Sequence, residues 1–320
     1  MEYCNLGNCG VKVSRLCLGT MNFGKWTSEK DAIAIIHRAL DEGINFIDTA
    51  NIYSGEPGTA ERYIGKALSG GLRNQVVLAT KVRGQMGPGP NDYGRSRYHI
   101  MQQVEASLKR LNTDHIDLYQ LHSPQDIDTP MEETLRAFDD LVRQGKILYF
   151  GTSRFAGWQL CEALWICDKL NLHPLVSEQP RYNIFRREVE NEVIPFCRKY
   201  GLGVIPFSPL SGGWLAGRYK KGEPVPEVAR ARWWKFDFES PEALKRFEIV
   251  EKLKSFAQEL GVTLSQFSLA WVLAQPGVTA PIIGPRIMEH LEDNLGALKV
   301  QLSPEILKKV DELVAPGTNV

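Results

Sequence analysis

The 320-residue chain has no Cys-x-x-Cys pair. Its six cysteines, Cys4, Cys9, Cys17, Cys161, Cys167 and Cys197, are scattered, the pattern of reduced thiols in a cytoplasmic protein rather than of a disulfide framework. No apolar run approaches the roughly 20 residues that a membrane-spanning helix requires. The opening Met1-Glu2-Tyr3-Cys4-Asn5 lacks the basic and apolar regions of a secretory signal. Net charge is missing too: 38 Lys and Arg balance 38 Asp and Glu, which gives no support for nucleic acid or an anionic membrane as partner. The histidines (His37, His99, His115, His122, His173, His290) show neither His-x-His nor His-Glu-x-x-His spacing. No metal site is expected, and metal-assisted hydrolysis fits poorly. A Gly-x-Gly-x-x-Gly turn is absent after the short apolar run Leu16-Cys17-Leu18, where the chain reads Gly19-Thr20-Met21-Asn22-Phe23-Gly24. That argues against a doubly wound sheet.

What is present is a repeat. Tyr3 to Leu6 and Val11 to Ser14 flank Gly7-Asn8-Cys9-Gly10, a hairpin signature. Eight units of apolar strand, polar loop and amphipathic helix follow. The strands are expected at 16–18, 44–47, 76–79, 115–121, 147–150, 175–177, 202–206 and 278–283. The helices are expected from about Ser28, which could cap the first, with Ile33, Ile36, Ala39 and Leu40 as its apolar face, and then at 60–68, 100–111, 131–143, 158–170, 189–200, 242–260 with 263–273, and 288–295. A trailing helix is expected at 304–313. Eight such units in one direction predict a closed (β/α)8 barrel, typically about 250 residues plus insertions. No stretch reads as a linker, so residues 1–320 are taken as one domain.

Barrel active sites lie at the C-terminal ends of the strands, and the residues there are unusual. Asp48 ends the run Gly43-Ile44-Asn45-Phe46-Ile47, where a carboxylate needs a cationic or hydrogen-bonding partner. Tyr53 follows in the same loop. Lys81 ends the third strand and His122 the fourth. Read singly, these are a helix cap, a surface tyrosine, a solvated lysine and a structural histidine. Together, at consecutive strand ends, they suggest acid/base chemistry. A tyrosine titrates near about 10, and an adjacent ammonium favours its phenolate and lowers that value. A histidine on the same rim could orient a substrate oxygen.

With Ala79-Thr80-Lys81, Ile116-Asp117-Leu118-Tyr119-Gln120-Leu121-His122 and Ser177-Glu178-Gln179-Pro180-Arg181-Tyr182-Asn183, the chain resembles the aldo-keto reductase family through nearly its whole length. The branch it resembles includes bacterial reductases and potassium-channel β subunits. The resemblance implies an NADPH-linked reductase of aldehydes and ketones, with hydride leaving C4 of the nicotinamide and Tyr53 protonating the oxygen. Lys81, held by Asp48, would tune Tyr53, and His122 would position the carbonyl. Cofactor contacts are implied for Thr20, Met21, Asp48, Ser153, Gln179 and Arg154, which replaces a common Asn. Phe207 replaces a stacking Tyr or Trp. Ser208, Pro209, Leu210 and Gly212 match the pyrophosphate loop. Ile283, Gly284, Arg286, His290, Asp293 and Asn294 match the adenosine end.

Arg286 is the implied 2′-phosphate ligand, since guanidinium binds phosphate in a charge-assisted fork. Ile287 stands where many members carry Ser or Thr. Arg218 and Arg230, in the basic, aromatic segment 217–240, match residues that close over the pyrophosphate. Trp26, Tyr53 and His122, with parts of 83–97 and 218–234, would line the substrate pocket, and the Gly/Pro-rich run 84–90 would form a flexible lip or a plain surface loop. A nucleotide-sensing subunit acting through a protein partner is the second reading. No extended regulatory segment precedes the barrel, which favours the enzyme.

Overall fold

The structure, a computed structural model, describes residues 1–125, 128–227, 232 and 236–320. Strands β1 (Tyr3–Asn5) and β2 (Lys12–Ser14) pair antiparallel. Among the described residues, eight further strands form one parallel sheet: β3 (Cys17–Gly19), β4 (Phe46–Asp48), β5 (Val77–Val82), β6 (Ile116–Leu121), β7 (Ile147–Ser153), β8 (Ser177–Gln179), β9 (Gly203–Val204) and β10 (Ile282–Ile283). They follow in chain order, with β10 beside β3. A parallel bridge from Val204 to Val278 and the bond from the Ile282 N–H to the Pro206 carbonyl (2.8 Å) bring the two edges together. The architecture is the (β/α)8 barrel preceded by a hairpin.

Strand periodicity decides what the barrel holds. Phe46, Val77, Ala79, Leu118, Ile205 and Ala280 point inward and form one apolar cluster. Their neighbours Ile47, Leu78, Tyr119 and Val204 point outward, into the larger core beneath the helices. Leu6 and Val13 of the hairpin join the inner cluster, so the hairpin closes the floor. Gly7 sits at its tip with φ +61°, and a Cβ there would come within 2.5 Å of the Gly201 carbonyl oxygen. Only glycine allows that approach. The Arg15 guanidinium donates to the carbonyls of Leu273, Val278 and Thr279, each at 2.8 Å, and so ties the chain's start to the seam where the barrel closes.

The helices cover the outside. Ser28 caps α1 (Glu29–Asp41), its hydroxyl accepting from the Asp31 N–H at 3.2 Å. The buried face of α1 is Ala32, Ile35, Ile36 and Ala39. It is rotated from the expected stripe, leaving Ile33 and Leu40 half-buried. The other expected segments appear as α2 (Thr59–Ala67), α3 (Arg97–Leu111), α4 (Met131–Arg143), α5 (Gly157–Leu170), α6 (Val193–Tyr200), α7 (Pro241–Glu259), α8 (Leu264–Ala274), α9 (Met288–Gly296) and α10 (Pro304–Leu313). Among the described residues no helix is long and apolar enough to cross a membrane.

Some boundaries differ. The helix expected over 189–200 splits into a 3-10 turn, Glu188–Glu190, and α6. Glu192 lies between them at φ −139°, and the Asn191 side chain bonds the Gly317 carbonyl. Strand β8 lies two residues later than expected, starting at Ser177 and running up to Pro180, which lacks the N–H to extend a ladder. Of 278–283, only Ile282 and Ile283 pair with β3.

The outward-facing Glu178 is fully buried, accepting from the Thr152 hydroxyl (2.6 Å) and the Phe155 N–H (3.0 Å). Burial pushes its carboxyl up to about 8, outweighing those hydrogen bonds. The fold therefore holds a proton that the unfolded chain releases, and stability falls as pH rises from about 4.5 through about 8, at most about 1.4 kcal/mol per pH unit. Glu178→Gln is expected to flatten this loss in urea melts between pH 5 and 8.5. An unchanged slope would refute it.

Candidate active site

The inward period that buries Phe46, Ala79 and Leu118 continues upward to Asp48, Lys81 and Gln120, so the apolar interior ends in a polar layer. The buried Lys81 Nζ donates to Asp48 Oδ1 (2.6 Å), to the Thr49 carbonyl (2.8 Å) and to the Tyr53 oxygen (3.0 Å). The other carboxylate oxygen of Asp48 accepts from Gln179 Nε2 (2.8 Å) and Gln120 Nε2 (3.2 Å). An ammonium with three acceptors and a carboxylate with three donors are the condition for holding a charge pair out of water. Burial opposes the charge on Lys81, but the Asp48 carboxylate and then Tyr53 outweigh it, so its pKa is raised and the ammonium persists.

Tyr53 is half-buried, and the residue after it, Ser54, is held at φ 101° with its hydroxyl on the Phe23 carbonyl. His122 meets the Tyr53 ring edge-on, centroids 5.8 Å apart. Burial, then the charges of Lys81, Arg154 and Arg83, hold its pKa well below the usual imidazole value. At neutral pH it is uncharged. Its Nδ1 is buried without a hydrogen-bond partner among the described residues.

Asp48 and Tyr53 open onto a cleft of about 280 Å³ running across the mouth of the barrel. Most expected cofactor residues line it: Thr20, Met21, Phe207, Ser208, Pro209, Leu210, Gly212, Arg218, Ile283, Gly284, Arg286, His290, Asp293 and Asn294. Ser153 and Gln179 lie in the polar layer beneath, joined by the Ser153 hydroxyl on the Gln179 carbonyl (2.9 Å). Arg154 is exposed at the rim. Arg230 lies outside the described residues. Trp26, expected at the substrate pocket, lies behind the cleft-lining Arg286, whose guanidinium covers its ring (4.2 Å), with Lys25 at 4.6 Å. The turns of 84–90 are tied by Asp92, which accepts from the Gly89 N–H at its carboxylate and from the Met86 N–H at its carbonyl, both at 2.8 Å.

Gly19, Asn22, Gly213, Ala216, Ser265 and Ile282 also line the cleft and were not anticipated. Ser265 had a signal: it lies in the first turn of α8, behind a Thr263–Gln266 capping box. Gln120, which bonds Asp48 beneath the cleft, was not anticipated either.

The cleft's donor set suits an anionic dinucleotide. Arg218 and Arg286 supply cations, Phe207 an aromatic face, and Gly212 and Gly213, at φ 67° and 107°, a loop with no side chains over the backbone. The hydroxyl of Ser211 in that loop is buried without a partner among the described residues.

A sequence profile described as the aldo/keto reductase family matches residues 15–315. The chain is 46% identical to a Bacillus subtilis protein named as an uncharacterized oxidoreductase, YrpG, over 99% of this chain and 97% of that one. It is 38% identical to an Arabidopsis thaliana protein named as a probable voltage-gated potassium channel subunit beta, over 98% and 97% of the two chains. A Schizosaccharomyces pombe protein with a similar putative name is 36% identical, over 97% and 92%.

Proposed function

The chain belongs to the aldo/keto reductase family of oxidoreductases, and we propose that it reduces aldehydes and ketones to alcohols with NADPH. The observation that carries this reading is the Lys81 ammonium, bonded at once to Asp48 and to the Tyr53 oxygen at the floor of the cleft. When bound, the reduced nicotinamide supplies the hydride that the carbonyl carbon accepts. Tyr53 gives its phenolic proton to the carbonyl oxygen and later recovers one from solvent. Lys81 stabilises the negative charge that gathers on the Tyr53 oxygen as its proton leaves. The neutral imidazole of His122 holds the carbonyl oxygen by a hydrogen bond, adding no second acid. Arg218 and Arg286 hold the cofactor's phosphates, with Arg286 on the 2′-phosphate.

The test is absorbance loss when purified protein and a panel of small aldehydes are mixed with NADPH, and separately with NADH. Turnover with NADPH supports the reading. Arg286→Ala is expected to raise the KM for NADPH about tenfold or more, the loss of roughly 1.4 kcal/mol or more, and to leave the KM for NADH unchanged. Equal use of both cofactors by the parent protein would sink the Arg286 assignment and leave the chemistry standing. The plant and yeast relatives named as channel β subunits favour a second reading, a nucleotide-sensing subunit. Tight cofactor retention without turnover would select it.

A further inference from the structure

The reaction proposed above gives no part to two arginines at the barrel mouth, Arg83 and Arg154, the second of which was expected at the cofactor but is not among the residues that line its cleft. Val82 pairs with Leu121 in the ladder, so the next step sets Arg83 beside His122, whose N–H bonds the Val82 carbonyl at 3.0 Å. On the other side, Leu121 pairs with Thr152, and Arg154 leaves β7 two residues later. Its N–H is fixed on the Gln179 carbonyl at 3.2 Å. An arginine thus leaves each strand that flanks the histidine strand.

Both arginines occupy backbone that glycine would adopt more readily, Arg83 at φ 127° and Arg154 at φ 65°. Such conformations strain a residue that carries a side chain. The surroundings hold them there: the Arg83 carbonyl accepts from the Gly94 N–H at 3.0 Å, and its guanidinium lies on the Tyr93 ring at 4.8 Å while donating to the Tyr93 hydroxyl. The Arg83 Nε is buried without a partner among the described residues. Neither Arg83 nor Arg154 forms an ion pair with a carboxylate among them. One guanidinium, that of Arg83, is fixed on Tyr93, and the other, that of Arg154, is exposed on the opposite side of the neutral imidazole; two such forks can receive an anion, because a planar fork of donors matches carboxylate and phosphate oxygens. Their charges also contribute to the depressed basicity of His122, which places the field they make at the imidazole itself.

We infer that the substrate carries a fixed negative charge, a carboxylate or a phosphate, received by Arg83 and Arg154 while its carbonyl lies at His122 and Tyr53. This rests on the reductase reading and narrows it from any small carbonyl to an anionic one.

Matched pairs test it: 4-oxobutanoate against its methyl ester, and 2-oxoethyl phosphate against glycolaldehyde, all with saturating NADPH. We expect kcat/KM at least tenfold higher for the anion in one pair, and the pair identifies carboxylate or phosphate. The preference should shrink as salt is raised. Arg83→Gln and Arg154→Gln should each bring the ratio toward one, and Arg83→Lys should keep part of it. Neutral partners used as well as the anions, or a ratio intact in both variants, would overturn the inference while the reductase reading survives. If no aldehyde oxidises NADPH, the reductase reading fails, and calorimetry on protein loaded with NADP+ decides the inference. Butanoate binding at least tenfold tighter than butanamide, lost in Arg83→Gln, upholds the anion site; equal binding removes it.

Discussion

Tyr53→Phe is expected to lose about a thousandfold in kcat with NADPH and an aldehyde, while binding NADPH as the parent protein does. General acids contribute about a hundred- to ten-thousandfold, and the substitution removes only the hydroxyl. The ring stays: its edge contact with His122 (5.8 Å) and its place beneath the Lys81 ammonium (4.8 Å) need no oxygen. A fall in kcat with cofactor affinity unchanged separates proton donation from packing. His122 cannot substitute as the acid near neutral pH, because burial and three neighbouring cations keep it uncharged. A variant that keeps a tenth of the parent's kcat would show that the proton comes from elsewhere.

Lys81→Met is expected to be the most destabilising substitution in the site, by about 3–5 kcal/mol, because it leaves the Asp48 carboxylate buried without its cation. The two amides that remain, Gln120 and Gln179, donate to one oxygen of that carboxylate and do not balance its charge. Adding Asp48→Asn removes the orphaned charge. The double variant should recover most of the stability and none of the turnover, since nothing then meets the negative charge on Tyr53. Chemical denaturation of the parent, both singles and the double gives the coupling directly. A single Lys81→Met as stable as the parent would mean that water already reaches Asp48.

The barrel was legible from its repeat; Asp48, Lys81 and His122 were legible because each closes an apolar run, and Tyr53 because it follows Asp48 in the same loop. The expected strand ends were good enough to place them on one rim. Gln120 and Gln179 were harder, since their bonds to Asp48 depend on which strand residues face inward across 131 positions of chain, and register is invisible without the partner strands. The stacking of Arg286 on Trp26 was invisible for the same reason, because that side chain arrives from far along the chain. The short ladders of β9 and β10 followed from pairing geometry rather than from the apolar runs that suggested longer strands.

The floor of the barrel has a consequence for how the protein is made. Leu6, Val13 and Arg15 leave the ribosome long before some of their partners: Gly7 packs against Gly201 and Gly203, and Arg15 waits for the carbonyls of residues 273, 278 and 279. At about 5–20 residues per second, the hairpin, bonded early to Gly43 and Asn45, spends on the order of ten seconds or more without the later segments that complete its seat. Such long-separated contacts slow folding, and until residues 201–203 emerge the floor beneath Phe46, Val77 and Leu118 lacks the bond from the Asn8 N–H to the Gly201 carbonyl. Chaperone dependence should therefore be concentrated in the interval before β10 emerges, and a ribosome stalled just after it should carry the first protease-resistant chains.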